Sequence, residues 1–342
     1  MHHIRLADLT WDEVHSPTKK FHSFCRNISI ALGGPRNTGT WGGGHPFDLQ
    51  IRRVPPGAAV CPYHLHLTQW ELFVVLAGTG TVRTAEARTE VTTGEVFFHP
   101  PGSPHQLVNT SGADFEILII ADNPPIDGAH YPDSDKWAVR PPGKIFRLTE
   151  ADYFDGEDTL PAAGTSGFKL SPLSPFPAPA PFERRKIHPD AIAWELFESP
   201  RKKFRGWSKE LSFALGAVRN TPTGLGGHPF DLELQKLAPG ESGCPFHSHA
   251  SQWELYYLLS GSATVRANSE TATLHAGEVV LHPPGEAHQI TNASATEDLL
   301  FYVVADNPPV DYWHYPDSGK WGLRAPRKFF RMNEADYWDG EE

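Results

Sequence analysis

Cysteine is scarce in this chain: three among 342 residues, Cys25, Cys61 and Cys244. So few, and odd in number, they exclude a disulfide framework and fit a reducing cytoplasm. Positive charge is also short. Thirty Lys and Arg face 41 Asp and Glu, a net charge of −11, so nucleic acid and anionic membrane surfaces are repelled rather than gathered. No apolar run reaches membrane-spanning length, and neither a signal peptide nor an anchor is visible between Met1 and Pro17. Helix-length periodic segments are few. What the chain holds in quantity is 32 Pro, 30 Gly and 18 His, a composition of many turns and many metal-binding side chains.

The sequence repeats itself. Trp11 to Asn109 matches Trp194 to Asn292 at a constant shift of 183, as in His45-Pro-Phe-Asp-Leu49 and His228-Pro-Phe-Asp-Leu232; beyond that the shift is 184, as in Asp122-Asn-Pro-Pro125 and Asp306-Asn-Pro-Pro309. One residue is therefore added in a late hairpin of the second copy. The repeat predicts two domains, 1–157 and 191–342, joined by 158–190, whose stretch from Leu170 to Pro181 is too proline-rich for helix or central strand and reads as an extended spacer. Within each copy, short apolar or alternating runs predict strands at Leu72 to Leu76, Thr79 to Thr84 and Glu116 to Ala121, and at Leu255 to Leu259, Ser262 to Ala267 and Leu299 to Ala305. Gly and Pro punctuate them, the pattern of an all-β sandwich or barrel.

One constellation carries chemistry. His64 and His66 are two apart, so on a strand they share a face; Glu71 follows beyond a bend, where an adjacent strand would begin, and His105 follows a Pro-Pro-Gly turn. The second copy repeats the set as His247, His249, Glu254 and His288. Three imidazoles and a carboxylate suit Fe, Mn, Ni, Cu, Co or Zn, and leave octahedral positions open. With Gly57, Gly78, Gly94, Pro100, Gly102 and Asn109 around them, and Gly240, Gly261, Gly277, Pro283, Gly285 and Asn292 in the second copy, these residues resemble the two signature motifs of the cupin superfamily. The chain looks like a bicupin. Six residues rather than the usual five separate Gly57 from His64. The resemblance implies two tandem jelly-roll (double-stranded β-helix) barrels with a few short helices, each holding one divalent transition metal. It also implies pairing of barrels through their outer sheets, which a tandem chain imitates internally, with further self-association left open.

Other residues are placed by parity. Gln69 and Gln252 share the parity of the glutamates and are candidates to touch the metal or its water; Trp70 and Trp253 have the opposite parity and read as wedges in the core. Cys61 and Cys244, three residues before the first histidine, turn away from the metal in a regular strand. Phe73 becomes Tyr256 at an inward position, a phenol able to position or protonate a substrate. Three functions follow for a small-molecule substrate. An oxygenase, with substrate and dioxygen side by side on the ion, is slightly favoured; cupins with this ligand set include several dioxygenases. A sugar or small-acid isomerase or decarboxylase would use the metal as a Lewis acid, with Arg83 and Arg266 the matching cations, although both read as solvated strand-end charges. A non-enzymatic binding protein is the third.

Overall fold

The computed structural model describes residues 1–151, 157, 179–324 and 327–341; most of the proline-rich spacer lies outside them. Two copies of one all-β barrel account for nearly all of it. In the first, a seven-stranded antiparallel sheet runs in the order Lys186–Ile187, Val96–His99, Glu71–Ala77, Phe115–Asp122, Phe47–Val54, His22–Asn27, Asp12–His15. Two smaller sheets close the other wall: Gln106–Val108, Thr79–Arg83 and Arg88–Thr92, and then Lys144–Phe146, Lys136–Arg140, Asp127–Tyr131 and Leu65–His66. The second copy repeats all three sheets. Among the described residues only Ile28–Ala31 and Leu211–Ala214 are α-helical.

The central strands Glu71–Ala77 and Phe115–Asp122 of the large sheet are buried on both faces, which is why they are largely apolar rather than alternating. Phe73 and Val75 point inward, to a barrel core with Val82, Leu107 and Ile117. Leu72 and Val74 point outward, yet they are equally buried, because the outer face packs on Leu232, Leu255 and Leu281 of the other copy. Phe47 meets Phe230 at 6.1 Å across that interface. Trp70 and Trp253 are the wedges the parity predicts: Trp70 leans on His228 at 5.0 Å and Trp253 on His45 at 5.3 Å. The tight hairpin after Glu71–Ala77 needs its glycine. Gly78 has φ +81°, and a Cβ there would collide with the Asp114 carbonyl oxygen.

The extra residue of the second copy falls where the shift changes. Asn109 Nδ2 bridges to the Ala113 carbonyl, whereas Asn292 Nδ2 bridges to that of Glu297, one residue further on. The loop absorbs the insertion without moving the strands.

The sequence gives no sign that the copies exchange strands. His2–Arg5 adds to the edge of the second barrel's sheet, with His3 opposite Val280 and Ile4 opposite Val279. Lys186–Ile187, inside the segment read as spacer, does the same for the first barrel, opposite Phe97 and Val96. The registers are equivalent under the repeat, so the exchange follows the same pseudo-two-fold symmetry as the shared core. Each added strand covers an edge that would otherwise present unpaired backbone groups. Because the apolar interface belongs to both barrels, Leu232→Ala is expected to cost about 2–5 kcal/mol and to lower one common calorimetric transition. Two transitions, of which one stays fixed, would show that the barrels melt independently.

Candidate metal centre

His64 and His66 leave the chain around the two-residue strand Leu65–His66 on the smaller wall, and His105 bridges to His64 just before Gln106–Val108. Glu71 opens the strand Glu71–Ala77 of the large sheet. The glutamate thus comes from the facing sheet and not from a strand adjacent to the histidines, so the four side chains meet across the barrel interior. His105 Nε2 lies 2.9 Å from Glu71 Oε2, His66 Nε2 3.7 Å and His64 Nε2 3.9 Å. In the second barrel His288 Nε2 is 2.8 Å from Glu254 Oε2 and His249 Nε2 is 3.5 Å from Glu254 Oε1. The His247 ring sits 4.6 Å from that of His288.

The outer nitrogens fix the inner ones. Nδ1 of His64, His66 and His105 is bonded to the Pro62 carbonyl at 2.9 Å, the Asp127 carboxylate at 2.6 Å and the Ser103 carbonyl at 3.0 Å. His247, His249 and His288 repeat this with Pro245, Asp311 and the Glu286 carbonyl at 2.9, 2.7 and 3.0 Å. All six partners only accept, so each Nδ1 carries the proton and donates it, which leaves the lone pair on Nε2 facing the glutamate. The buried Nε2 of His249 has no hydrogen-bond partner among the described residues. With the rings neutral, these lone pairs and the carboxylate oxygens converge with no donor between them, an arrangement that fits a cation.

Electrostatics point the same way. Burial opposes ionisation of Glu71 and Glu254, but the neighbouring imidazoles, His66 and His249 foremost, outweigh it and hold both carboxyls well below their usual range. Burial alone would discharge His249, but Glu254 and Asp311 raise it to about 9, so without a cation its Nε2 holds a proton that a metal ion would displace; His247, buried and beside His288, falls to about 3.

Asp127 and Asp311 are the residues that sequence reasoning missed. Asp127 also accepts from the Thr68 and Gln69 backbone, and Asp311 from Ala250 and Ser251, so each clamps the loop after its histidine pair. Both stand two residues after Pro-Pro in the repeated Asp-Asn-Pro-Pro segment, a duplication that would have identified them. Gln69 and Gln252 face the cavities and donate to the Asp122 and Asp306 carbonyls, each at 2.6 Å. Tyr256 donates to Glu254 Oε2 at 2.8 Å; Phe73 in its place leaves Glu71 without that bond. Behind the two clusters, His99 stacks on His105 at 4.0 Å and His282 on His288 at 4.2 Å.

Two expectations change or sharpen. Cys61 and Cys244 do not turn away: both line the cavities, with sulfur 3.6 and 3.7 Å from Nδ1 of His64 and His247, because this stretch is irregular chain to which strand parity does not apply. Burial pushes both thiols up to about 12. Arg83 and Arg266 line neither cavity. They grip Asp133 at 2.6 and 2.8 Å and Asp317 at 2.9 and 3.1 Å, and stack on Tyr63 and Phe246. Those aspartates belong to the segments Tyr131–Trp137 and Tyr315–Trp321, which bring Tyr131 over His64 and Tyr315 over His247, each with ring centroids 6.0 Å apart, so each segment covers its own barrel.

Asp122 and Asp306 accept from the Trp70 and Trp253 backbone at 2.6 Å, and burial pushes both carboxyls up to about 7. A folded carboxyl above its ordinary 3.8 stabilises the fold while protonated and loses that contribution as pH rises from 3.8 toward 7. Thermal melts across that window are expected to show falling stability, with the fall reduced in Asp306→Asn, which keeps the acceptor but not the charge. An unchanged slope would place the loss elsewhere.

The cupin-domain family model matches residues 50–121 and 233–305, once in each barrel. Among characterised proteins, an oxalate-binding protein of Thermotoga maritima is 38% identical over 69 residues, 20% of this chain and 55% of that protein. Auxin-binding protein T85 of Nicotiana tabacum is 28% identical over 121 residues, 32% of this chain and 61% of that protein. A 1-hydroxy-2-naphthoate 1,2-dioxygenase of Nocardioides sp. is 32% identical over 81 residues, 24% of this chain and 20% of that protein. The chain thus spans less than two thirds of the length of each. Oxalate decarboxylase from Bacillus subtilis superposes with a TM-score of 0.52 at 15% identity, covering 91% of this chain and 78% of that one. The Lactobacillus farciminis oxalate decarboxylase formate complex gives 0.51 at 16%, covering 91% and 88%. At such identity the likeness is one of fold. With a cupin-domain match in each of two jelly-roll barrels, at the spacing of the internal repeat, this chain carries two cupin domains in tandem.

Proposed function

We propose that this bicupin is a metal-dependent enzyme that decarboxylates a small organic acid. His64, His66, His105 and Glu71 would hold one divalent ion, and His247, His249, His288 and Glu254 a second. A bound ion supplies Lewis-acid polarisation of a carboxylate or carbonyl oxygen. The observation that carries the reading is the convergence, in each barrel, of three histidines whose Nδ1 is already committed with one glutamate that faces their Nε2 atoms.

The chain's own groups supply the rest. The first cavity, about 310 Å³, suits a small molecule, and Arg36, Arg52 and Arg140 among its walls suit an anionic one. Tyr131 over His64 narrows the mouth and limits water at the site. The oxygenase that the ligand set favoured keeps one specific support, the naphthoate dioxygenase relative, together with the apolar wall of Phe73, Leu107 and Ile119. The polar, cationic remainder of the cavity and the oxalate-named relatives favour decarboxylation.

Protein purified without chelators is expected to carry two metal equivalents per chain. His64→Ala with His66→Ala should leave one, with the far-ultraviolet circular dichroism unchanged. Asp127→Asn should weaken metal uptake in the first barrel about 10–100-fold. In the activity assay, oxalate should yield carbon dioxide and formate in equal amounts with no net oxygen uptake. Net oxygen consumption with an aromatic acid, and none of these products from oxalate, would favour the oxygenase instead.

A further inference from the structure

Because the second barrel is a copy of the first, equivalent cavity positions can be compared directly. The inner face of Phe47–Val54 presents Asp48, Gln50 and Arg52; that of Phe230–Leu237 presents Asp231, Glu233 and Gln235. On the neighbouring strands Asn27 is replaced by Glu210, which sits directly opposite Glu233. The ligand sets are identical, but the cavity walls have changed sign. Three arginines and two carboxylates line the first cavity, whereas one arginine and five carboxylates line the second.

Arg52 is the decisive group. It is only 7% exposed, and Nε and Nη1 donate to Gln50 at 3.1 Å and Ser23 at 2.9 Å, both neutral acceptors. Among the described residues no carboxylate lies within 4 Å of its guanidinium. Burying a cation without a counter-charge is costly, and an arginine presents paired donors that match a carboxylate. The charges of the second cavity are answered from within. Gln235 donates to Glu233 at 2.9 Å, Arg219 reaches Glu195 at 2.9 Å and Glu210 at 3.5 Å, and Tyr256 holds Glu254. Glu210 and Glu233 are cross-strand partners, so acid crowds the wall on which Gln235 stands where the first cavity has Arg52.

We propose that the two barrels have divided their ligands by charge: the first cavity seats a small carboxylate on Arg52, and the second, lined by Glu210 and Glu233 with Gln235 in place of the arginine, refuses it. The inference rests on the metal-centre reading above and makes Arg52 a specificity-determining residue at a site whose metal-binding groups are shared.

Calorimetric titration of the metal-loaded full chain with oxalate, and separately with formate, tests it. One anion per chain is expected, not two. Arg52→Gln should weaken binding at least tenfold while metal content stays at two and the melt shows a folded protein, and Arg52→Lys should recover part of the loss. Converting the second cavity with Glu210→Asn, Glu233→Gln and Gln235→Arg together should create a second anion site. Metal content on the same samples separates the two readings. A folded chain that takes up no metal overturns the function proposed above. A metal-loaded chain that binds two anions, binds neither probe, or binds as tightly without Arg52 overturns the division of ligands alone.

Discussion

The hydrogen bond from each histidine Nδ1 to a fixed acceptor is the constraint on which the centre depends. An imidazole has one proton to place when neutral. By taking it on the outer side, Pro62, Asp127 and Ser103 oblige the inner side to present a lone pair, and they hold the ring plane as well. The acceptors come from three places: the loop before the pair, the strand Asp127–Tyr131, and the turn after Pro-Pro-Gly. Strand pairing on the smaller wall therefore decides where the lone pairs point. The large sheet contributes the glutamate and little else to the cluster, but it anchors the whole through the core common to both barrels.

That division of labour explains why the two walls differ so much in composition. The central strands of the large sheet, Glu71–Ala77 and Phe115–Asp122, are largely apolar on both faces because one face fills its own barrel and the other fills the space between barrels. The smaller wall carries the charged clamps, Arg83 on Asp133 and Arg266 on Asp317, which pull the flanking segment down until its tyrosine lies over a histidine. Pinned in this way, those arginines are unable to serve as substrate anchors, and the cationic role passes to Arg52 on the opposite wall.

Much of this was legible in the residues. Duplication at a fixed shift, short strands punctuated by glycine and proline, and the spacing of His64, His66, Glu71 and His105 sufficed for two β-barrels and for convergence of those four side chains. Parity reasoning worked where strands are regular, as for Trp70, and failed at Cys61, where the chain is irregular and neighbouring residues no longer alternate. Asp127 escaped because its importance lies in a long-range bond to His66, 61 residues away in sequence, although its repetition at Asp311 was available. The exchange of His2–Arg5 and Lys186–Ile187 was beyond reach, since a short edge strand carries no local mark of the sheet it will join.

That exchange ties composition to covalent order. Each barrel borrows its outermost strand from a stretch that precedes the other barrel's repeat, so a cut made between the repeats gives two pieces that each keep the partner's strand and lack their own. Either piece alone would present a bare row of backbone donors and acceptors along Val96–His99 or Glu278–His282, beside a greasy face meant for its twin. The natural remedy for such a fragment is to find a second copy and trade arms with it, which makes the intact chain a covalently tethered version of an arm-swapped pair.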